Sequence, residues 1–157
     1  MKKQSAGLLV YRGAGAGLEL LLVHPGGPFW SKKDDGAWFI PKGEIEPNEE
    51  PFAAACREFR EELGLEPPAG EALELGSVKN KSGKQIHAWA LAGDLDLSAF
   101  RSNTFSLEWP PRSGTQREFP EVDRAQYFGL ELVTRKLHEA ELPLVRALLQ
   151  QLGSAGK

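Results

Sequence analysis

Apolar positions along the chain arrive in two rhythms. Ala6 to Tyr11 and Leu18 to His24 are short, nearly continuous apolar runs, and each reads as a strand. The glycine-rich stretch between them, Gly13-Ala14-Gly15-Ala16-Gly17, reads as a hairpin loop; no Gly-Lys-Ser/Thr follows, so it is not a phosphate loop. Pro25 to Asp35 is a loop, and Trp38-Phe39-Ile40 is a short strand that Pro41 ends. From Pro51 to Leu63 the rhythm becomes helical, with proline in the first turn and Gly64 placed as a left-handed cap. Leu73 to Lys79 and Gln85 to Ala92 read as two strands joined by the turn Asn80-Lys81-Ser82-Gly83. Asp94 to Phe100 reads as a helical turn or a loop, and Phe105 to Trp109 as a strand closed by Pro110-Pro111. Arg112 to Asp123 reads as a polar surface loop, and Ala125 to Leu130 as a last short strand. Glu131 to His138 and Leu142 to Leu152 form one helix broken near Pro143, or two helices, before a frayed tail from Gly153 to Lys157.

Size and charge narrow the classes. The 157 residues suit one domain, 1–157, and the 41% of apolar residues suffice for its core. A formal charge of −3 argues against an extended nucleic-acid surface. Cys56 is the single cysteine, which excludes an internal disulfide and a thiolate zinc cluster and suits a reducing cytoplasm. The first apolar run is too short for a signal segment or a membrane span, so a cytoplasmic protein without membrane contact is expected. Against this even background, carboxylates crowd between Glu44 and Glu66.

Helical geometry sorts that crowd. At about 100° per residue, Phe52, Cys56, Phe59 and Leu63 share one face, expected to pack on a sheet. Glu58, Glu61 and Glu62 share another, roughly 130° away. Like charges at this spacing repel by a few tenths of a kcal/mol per pair. The cluster is either a solvated face or a divalent-cation site; magnesium prefers such oxygen ligands together with substrate phosphates. Arg57 is placed to orient a neighbouring carboxylate.

The full segment reads Gly43, five residues, Glu49, seven residues, Arg57-Glu58-Phe59, one residue, Glu61-Glu62, one residue, Gly64-Leu65. It resembles the Nudix signature at every defined position, with Phe59 and Leu65 in the apolar slots. The resemblance implies an α/β fold, a Nudix α/β/α sandwich with a mixed β-sheet between helices. It implies hydrolysis of a nucleoside diphosphate linked to another group, by water attack on phosphorus. It also implies Mg2+ or Mn2+ as cofactor and a small nucleotide as partner. Glu58, Glu61 and Glu62 would then ligate the metal with the Gly43 carbonyl, Arg57 would orient them, and Glu49 would brace the loop–helix–loop. Some members of the family take their general base from the box and others from a later loop. Here Glu58 and Glu61 stand for the first, and Glu118 and Glu121 for the second, with Glu121 preferred.

Lys42, beside the box, is a candidate phosphate contact, and Trp38 a candidate for stacking on a base or for the core. His24 and His87 form no metal pair. The entry Pro41-Lys42-Gly43 resembles diadenosine polyphosphate hydrolases and diphosphoinositol polyphosphate phosphohydrolases. Val78 to Lys84 lacks the tyrosine that marks one group of dinucleoside polyphosphate hydrolases. A dinucleoside polyphosphate is the preferred substrate; RNA 5′ ends, diphosphoinositol phosphates and a non-catalytic nucleotide-binding module are the alternatives. Oligomeric state is not set by the sequence.

Overall fold

The computed structural model describes residues 4–155. Its centre is strand β1, Gln4–Arg12, whose Ala6 to Val10 are fully or almost fully buried. One edge of β1 pairs in parallel with β5, Gln85–Ala92, from Gln4↔Gln85 to Tyr11↔Ala92. β4, Leu73–Lys79, pairs antiparallel with the outer edge of β5. The other edge of β1 is divided. Its end pairs antiparallel with β2, Glu19–Pro25, and its beginning with β3, Lys42–Glu44. β8, Val122–Gly129, closes the sheet against β2.

The divided edge is what opens the molecule for chemistry. The segment entering β3 is wedged between β1 and β2. Leu8 N–H donates to the Pro41 carbonyl at 3.1 Å, and Phe39 exchanges both backbone bonds with Val23 at 2.8 and 2.9 Å. Gly7 permits this approach: a Cβ there would stand 2.7 Å from the Pro41 oxygen and 2.8 Å from Lys42 Cβ. The sequence reading ended this strand at Pro41. The ladder instead begins just beyond it, because proline lacks a donor but keeps an acceptor, and the acceptor is the atom used here.

Both faces of the sheet are covered, which is why its strands read as continuous apolar runs. On one face Leu9, Leu20, Leu22, Ala88, Ala90 and Phe128 pack against Val133, Leu137, Leu144 and Leu148. These come from α2, Leu130–Lys136, α3, Leu142–Ala155, and the turn between them. On the other face Leu8, Val10, Leu21, Val23 and Tyr127 meet Ala54, Ala55, Phe59 and Leu63 of α1, Pro51–Leu63. The result is a mixed sheet between helices.

The C-terminal helical segment takes the second of its two expected forms, two helices, with Pro143 in the first turn of α3, where a missing N–H costs nothing. Three expectations change. α3 runs through Gly153 to Ala155; the rest of the expected frayed tail, Gly156 and Lys157, lies outside the described residues. Arg112 to Asp123 is not all loop. β7, Gln116–Pro120, pairs with β6, Thr104–Glu108, as an antiparallel ribbon apart from the main sheet. β6 follows the expected strand near Phe105 to Trp109, and the Phe105 and Phe119 rings lie 6.0 Å apart; β7 is exposed apart from Phe119, so no apolar alternation signals that strand. The buried stripe of α1 is also displaced. Phe52 is 37% exposed, with its ring edge-on to Trp89, and Cys56 is half-buried, while Ala54 and Ala55 are fully buried. No helix among the described residues is long and apolar enough to cross a membrane.

Candidate active site

The displaced stripe brings carboxylates into the interior. On a wheel of about 100° per residue, Glu58 and Glu62 fall in the arc between Ala54 and Ala55. They therefore lie beside the packed face, not opposite it. Only alanines flank them there, and these small side chains let the helix press close to β3. Gly43 is the point of contact: a Cβ there would sit 2.0 Å from the Glu58 carboxyl carbon. Any larger residue at 43 would expel that carboxylate.

Arg57 ties the group together. Its Nη1 donates to Glu58 Oε2 at 2.7 Å and to Glu61 Oε2 at 3.1 Å. Nε and Nη2 donate to the two oxygens of Glu49 at 2.9 and 3.0 Å, a bidentate pair, and Nη2 also donates to the Glu44 carbonyl at 3.0 Å. Glu49 in turn accepts the Glu46 N–H at 3.0 Å, so the loop before α1 is bound to the helix by one guanidinium. These bonds hold the Glu49 carboxyl down at about 2 and the Arg57 guanidinium well above its ordinary range. Burial raises the Glu58 carboxyl in spite of Arg57, and the Glu61 charge adds to the rise.

Glu62 lies deepest. Burial pushes its carboxyl up to about 8, with Lys42 pulling down and Glu58 pushing up. Lys42 is itself fixed. Its Nζ lies 2.7 Å from Glu141 Oε2 and 4.4 Å from the centre of the Phe39 ring. Glu141 is 1% exposed, and its other oxygen accepts the Ile40 N–H at 2.9 Å. A residue about a hundred positions downstream thus pins the entry to the carboxylate helix. Glu141 and the neighbouring His138 carried no signal in the sequence, since a lone Glu and a lone His near a helix end belong to no motif.

Glu121 reaches the cluster by a separate route. Asn103 N–H donates to the Glu61 carbonyl at 2.9 Å, and Arg101 N–H to the Leu63 carbonyl at 2.8 Å, so the 101–103 loop is sewn to the end of α1. Glu121 N–H then donates to the Asn103 carbonyl at 2.8 Å, and Gly26 N–H to the Glu121 carbonyl at 3.0 Å. Gly26 is pressed so close that a Cβ would stand 1.9 Å from the Pro120 oxygen. Burial raises the Glu121 carboxyl, and the Glu61 charge raises it further. Glu121, Glu62 and Lys42 line one cavity of about 100 Å³ with Phe39 and Ile40. Glu118 points elsewhere, accepting the Thr104 hydroxyl at 2.8 Å on the ribbon.

Trp38 corrects an expectation. It is 2% exposed, its ring meets His24 and Phe128 edge-on, and its Nε1–H donates to Asp34 at 2.8 Å. An indole enclosed in this way has no face for a substrate. His24, also fully buried, lies between Asp123 Oδ1 at 2.8 Å and the Lys33 carbonyl at 2.7 Å, joining the 25–36 loop to β8.

The donor set suits a hard cation, being all oxygen: Glu58, Glu61, Glu62, Glu121 and the Gly43 backbone. Among the described residues no three carboxylate, imidazole or thiol groups are gathered as a ready-made metal cage. Arg57 occupies an oxygen of both Glu58 and Glu61, and magnesium commonly takes only one or two carboxylates beside water and substrate phosphates. The residues fit a cation that arrives with its substrate.

The model of the NUDIX domain matches residues 1–148. The chain belongs to the Nudix family. This Nudix protein is accordingly a hydrolase acting on pyrophosphate bonds, and its family generally uses divalent metals. None of the curated proteins matches the chain. Among solved structures, an Ap4A hydrolase from C. elegans in a binary complex is similar over 96% of this chain and 98% of its own, at 21% identity and a TM-score of 0.67. The NUDIX domain of Shewanella oneidensis NrtR, complexed with ADP ribose, is similar over 97% of this chain and 89% of its own, at 16% identity and a TM-score of 0.67. The E. coli ORF135 protein covers 95% of this chain and 91% of its own at 24% identity, with a TM-score of 0.56. At these identities the likeness concerns the fold.

Proposed function

We propose that the chain is a Mg2+-dependent, single-domain hydrolase of nucleoside diphosphate derivatives, with dinucleoside polyphosphates as its preferred substrates. One observation supports this reading: Glu62 and Glu121 line one cavity with Lys42, while Glu58 and Glu61 of the same helix share the Arg57 guanidinium. Glu58 and Glu62, with Glu61 and the Gly43 carbonyl, would hold the metal. Bound there, Mg2+ supplies charge neutralisation of the phosphates and a more acidic water. Lys42 contributes a fixed ammonium to a passing phosphate. Arg57 and Glu49 keep the carboxylates in register. The Glu121 carboxylate takes the proton as water oxygen bonds to phosphorus. The anhydride P–O bond breaks, and the leaving phosphate departs as an anion. Catalysis of this kind is positioning and electrostatic stabilisation rather than covalent chemistry.

The test is a panel of dinucleoside polyphosphates, nucleotide sugars, diphosphoinositol phosphates and triphosphate-ended RNA, assayed with Mg2+ and Mn2+ and product identification. Dinucleoside polyphosphates should turn over fastest. Glu62→Gln should lower kcat by at least about 100-fold, as loss of a principal metal ligand does. The same substitution should raise the melting temperature in metal-free buffer, because it removes a buried, repelled charge. No turnover of any substrate by the wild type, or full activity in Glu62→Gln, would sink the assignment.

A further inference from the structure

The ladder between β2 and β8 carries one irregularity, and it falls beside Glu121. From Glu19↔Gly129 to His24↔Arg124 the two strands pair residue for residue. The next pair is Pro25↔Val122, so β8 holds one extra residue, Asp123, opposite the His24–Pro25 step. This is a β-bulge, a device that re-aims side chains and is frequent beside active sites. The shifted register continues past β2, where Gly26 N–H donates to the Glu121 carbonyl at 3.0 Å. In the unshifted register Gly26 would face Val122. Glu121 would then lie one residue further along, about 3.3 Å away and turned to the other face of the sheet.

The side chains follow the same reset. Tyr127 and Ala125 turn towards α1, and strict alternation would send Asp123 there as well. That face holds Val23, Ala54, Ala55 and Phe59, where an unpaired carboxylate is costly. Asp123 turns instead to the opposite face with Arg124, whose guanidinium lies over the Trp38 ring at 5.1 Å. Val122 takes the place towards α1 and is 3% exposed. His24 is what holds Asp123 on its side. The ring is fully buried, with Nδ1 2.8 Å from Asp123 Oδ1 and Nε2 2.7 Å from the Lys33 carbonyl. Trp38 flanks it, the two rings 5.2 Å apart and edge to face. The bulged residue is thus tied to a side chain that is itself enclosed.

We propose that the His24–Asp123 bond is a register lock: it keeps the extra residue of β8 in place and so positions Glu121 for the reaction. Neither residue lines the cavity that Glu121 shares with Glu62 and Lys42, so both are positioning residues. The functional half of the inference rests on Glu121 as the base, and the structural half on the ladder alone. Asp123→Ala frees the bulge to slip towards the regular register. Asp123→Asn keeps an acceptor of the same shape for the His24 ring and holds the bulge.

The experiment compares wild type, Asp123→Ala, Asp123→Asn and Glu121→Gln as whole chains, with circular dichroism to check folding. Amide hydrogen exchange followed by NMR reads the register without substrate. Exchange at Gly26 should quicken at least about tenfold in Asp123→Ala, as a local opening does, and return largely in Asp123→Asn. The Leu8 amide, bonded to the Pro41 carbonyl in the centre of the sheet, should not change. Turnover of diadenosine tetraphosphate with Mg2+ reads the consequence. A misplacement of about 1 Å can cost about 100-fold, so kcat should fall at least about tenfold in Asp123→Ala with KM within about twofold. Asp123→Asn should recover most of that loss. Unchanged exchange at Gly26, or equal quickening at Leu8, overturns the lock, as does a loss in Asp123→Asn as large as in Asp123→Ala. Quickened exchange with kcat intact overturns the positioning role. Full activity in Glu121→Gln removes Glu121 from the reaction and the functional half with it, while exchange at Gly26 still decides the lock.

Discussion

The Lys42–Glu141 pair offers a quantitative test of how the site is supported. Glu141 is 1% exposed and has two partners, the Lys42 ammonium at 2.7 Å and the Ile40 N–H at 2.9 Å. Lys42→Met removes the charged partner and leaves a carboxylate in the interior with a single donor. Breaking a buried pair from one side costs about 3–5 kcal/mol. The Lys42 side chain is 20% exposed, so water reaches the gap and about 3 kcal/mol is expected. For a domain of this size, roughly 2–4 °C are lost per kcal/mol, which makes about 6–12 °C in Tm. Glu141→Gln keeps an acceptor for Ile40 but strands the lysine. In the double variant neither charge remains, so about 2 kcal/mol of the summed losses should return. Urea unfolding followed by the fluorescence of the four tryptophans measures all four corners of the cycle. A coupling below about 0.5 kcal/mol would refute the reasoning, since independent sites add within that margin.

Three further outcomes follow from the geometry. Gly26→Ala puts a Cβ against the Pro120 carbonyl and must move Glu121; kcat should fall at least about tenfold with KM little changed, and a kcat within threefold of wild type would remove Glu121 from the reaction. Glu49→Gln should change acid stability. The Glu49 carboxyl is lowered from 4.5 to about 2 in the folded chain, so its contribution is complete above pH 4.5 and fades as pH falls towards 2. The urea midpoint of the variant should therefore decline less than that of the wild type between pH 4.5 and 2; parallel declines would argue against the Arg57 bond as the cause. Trp38→Phe should cost about 1–3 kcal/mol, through the lost bond to Asp34 and looser packing, while KM stays unchanged; a raised KM would return Trp38 to the substrate.

What could be read from the sequence was what local periodicity encodes. The bounds of α1, β4 and β5 follow from proline, glycine and apolar spacing, and the family from one contiguous segment. What could not be read depended on distant parts of the chain meeting. Glu141 gains meaning only when the turn between α2 and α3 packs over Phe39 and reaches Lys42. β6 was legible as the strand near Phe105 to Trp109, but its partner β7 was not, because β7 is exposed apart from Phe119. The wheel of α1 misled because alanine carries little apolar weight in a periodicity argument, yet small side chains are what let the carboxylates approach the sheet.

That ribbon bears on how substrate range could be altered without rebuilding the fold. Its strands pair only with each other, and Glu121 is fixed at its base, through Asn103 and Gly26, independently of its tip. Residues added or removed between Trp109 and Thr115 would meet only the cost of a longer or shorter connection. Each doubling of such a loop costs roughly 0.6 kcal/mol. The tip is therefore a place where variation is cheap and the anchor of the proposed base is undisturbed. Grafted loops of different length and charge should fold on this scaffold and change which molecules reach it, leaving the carboxylates of α1 where they are.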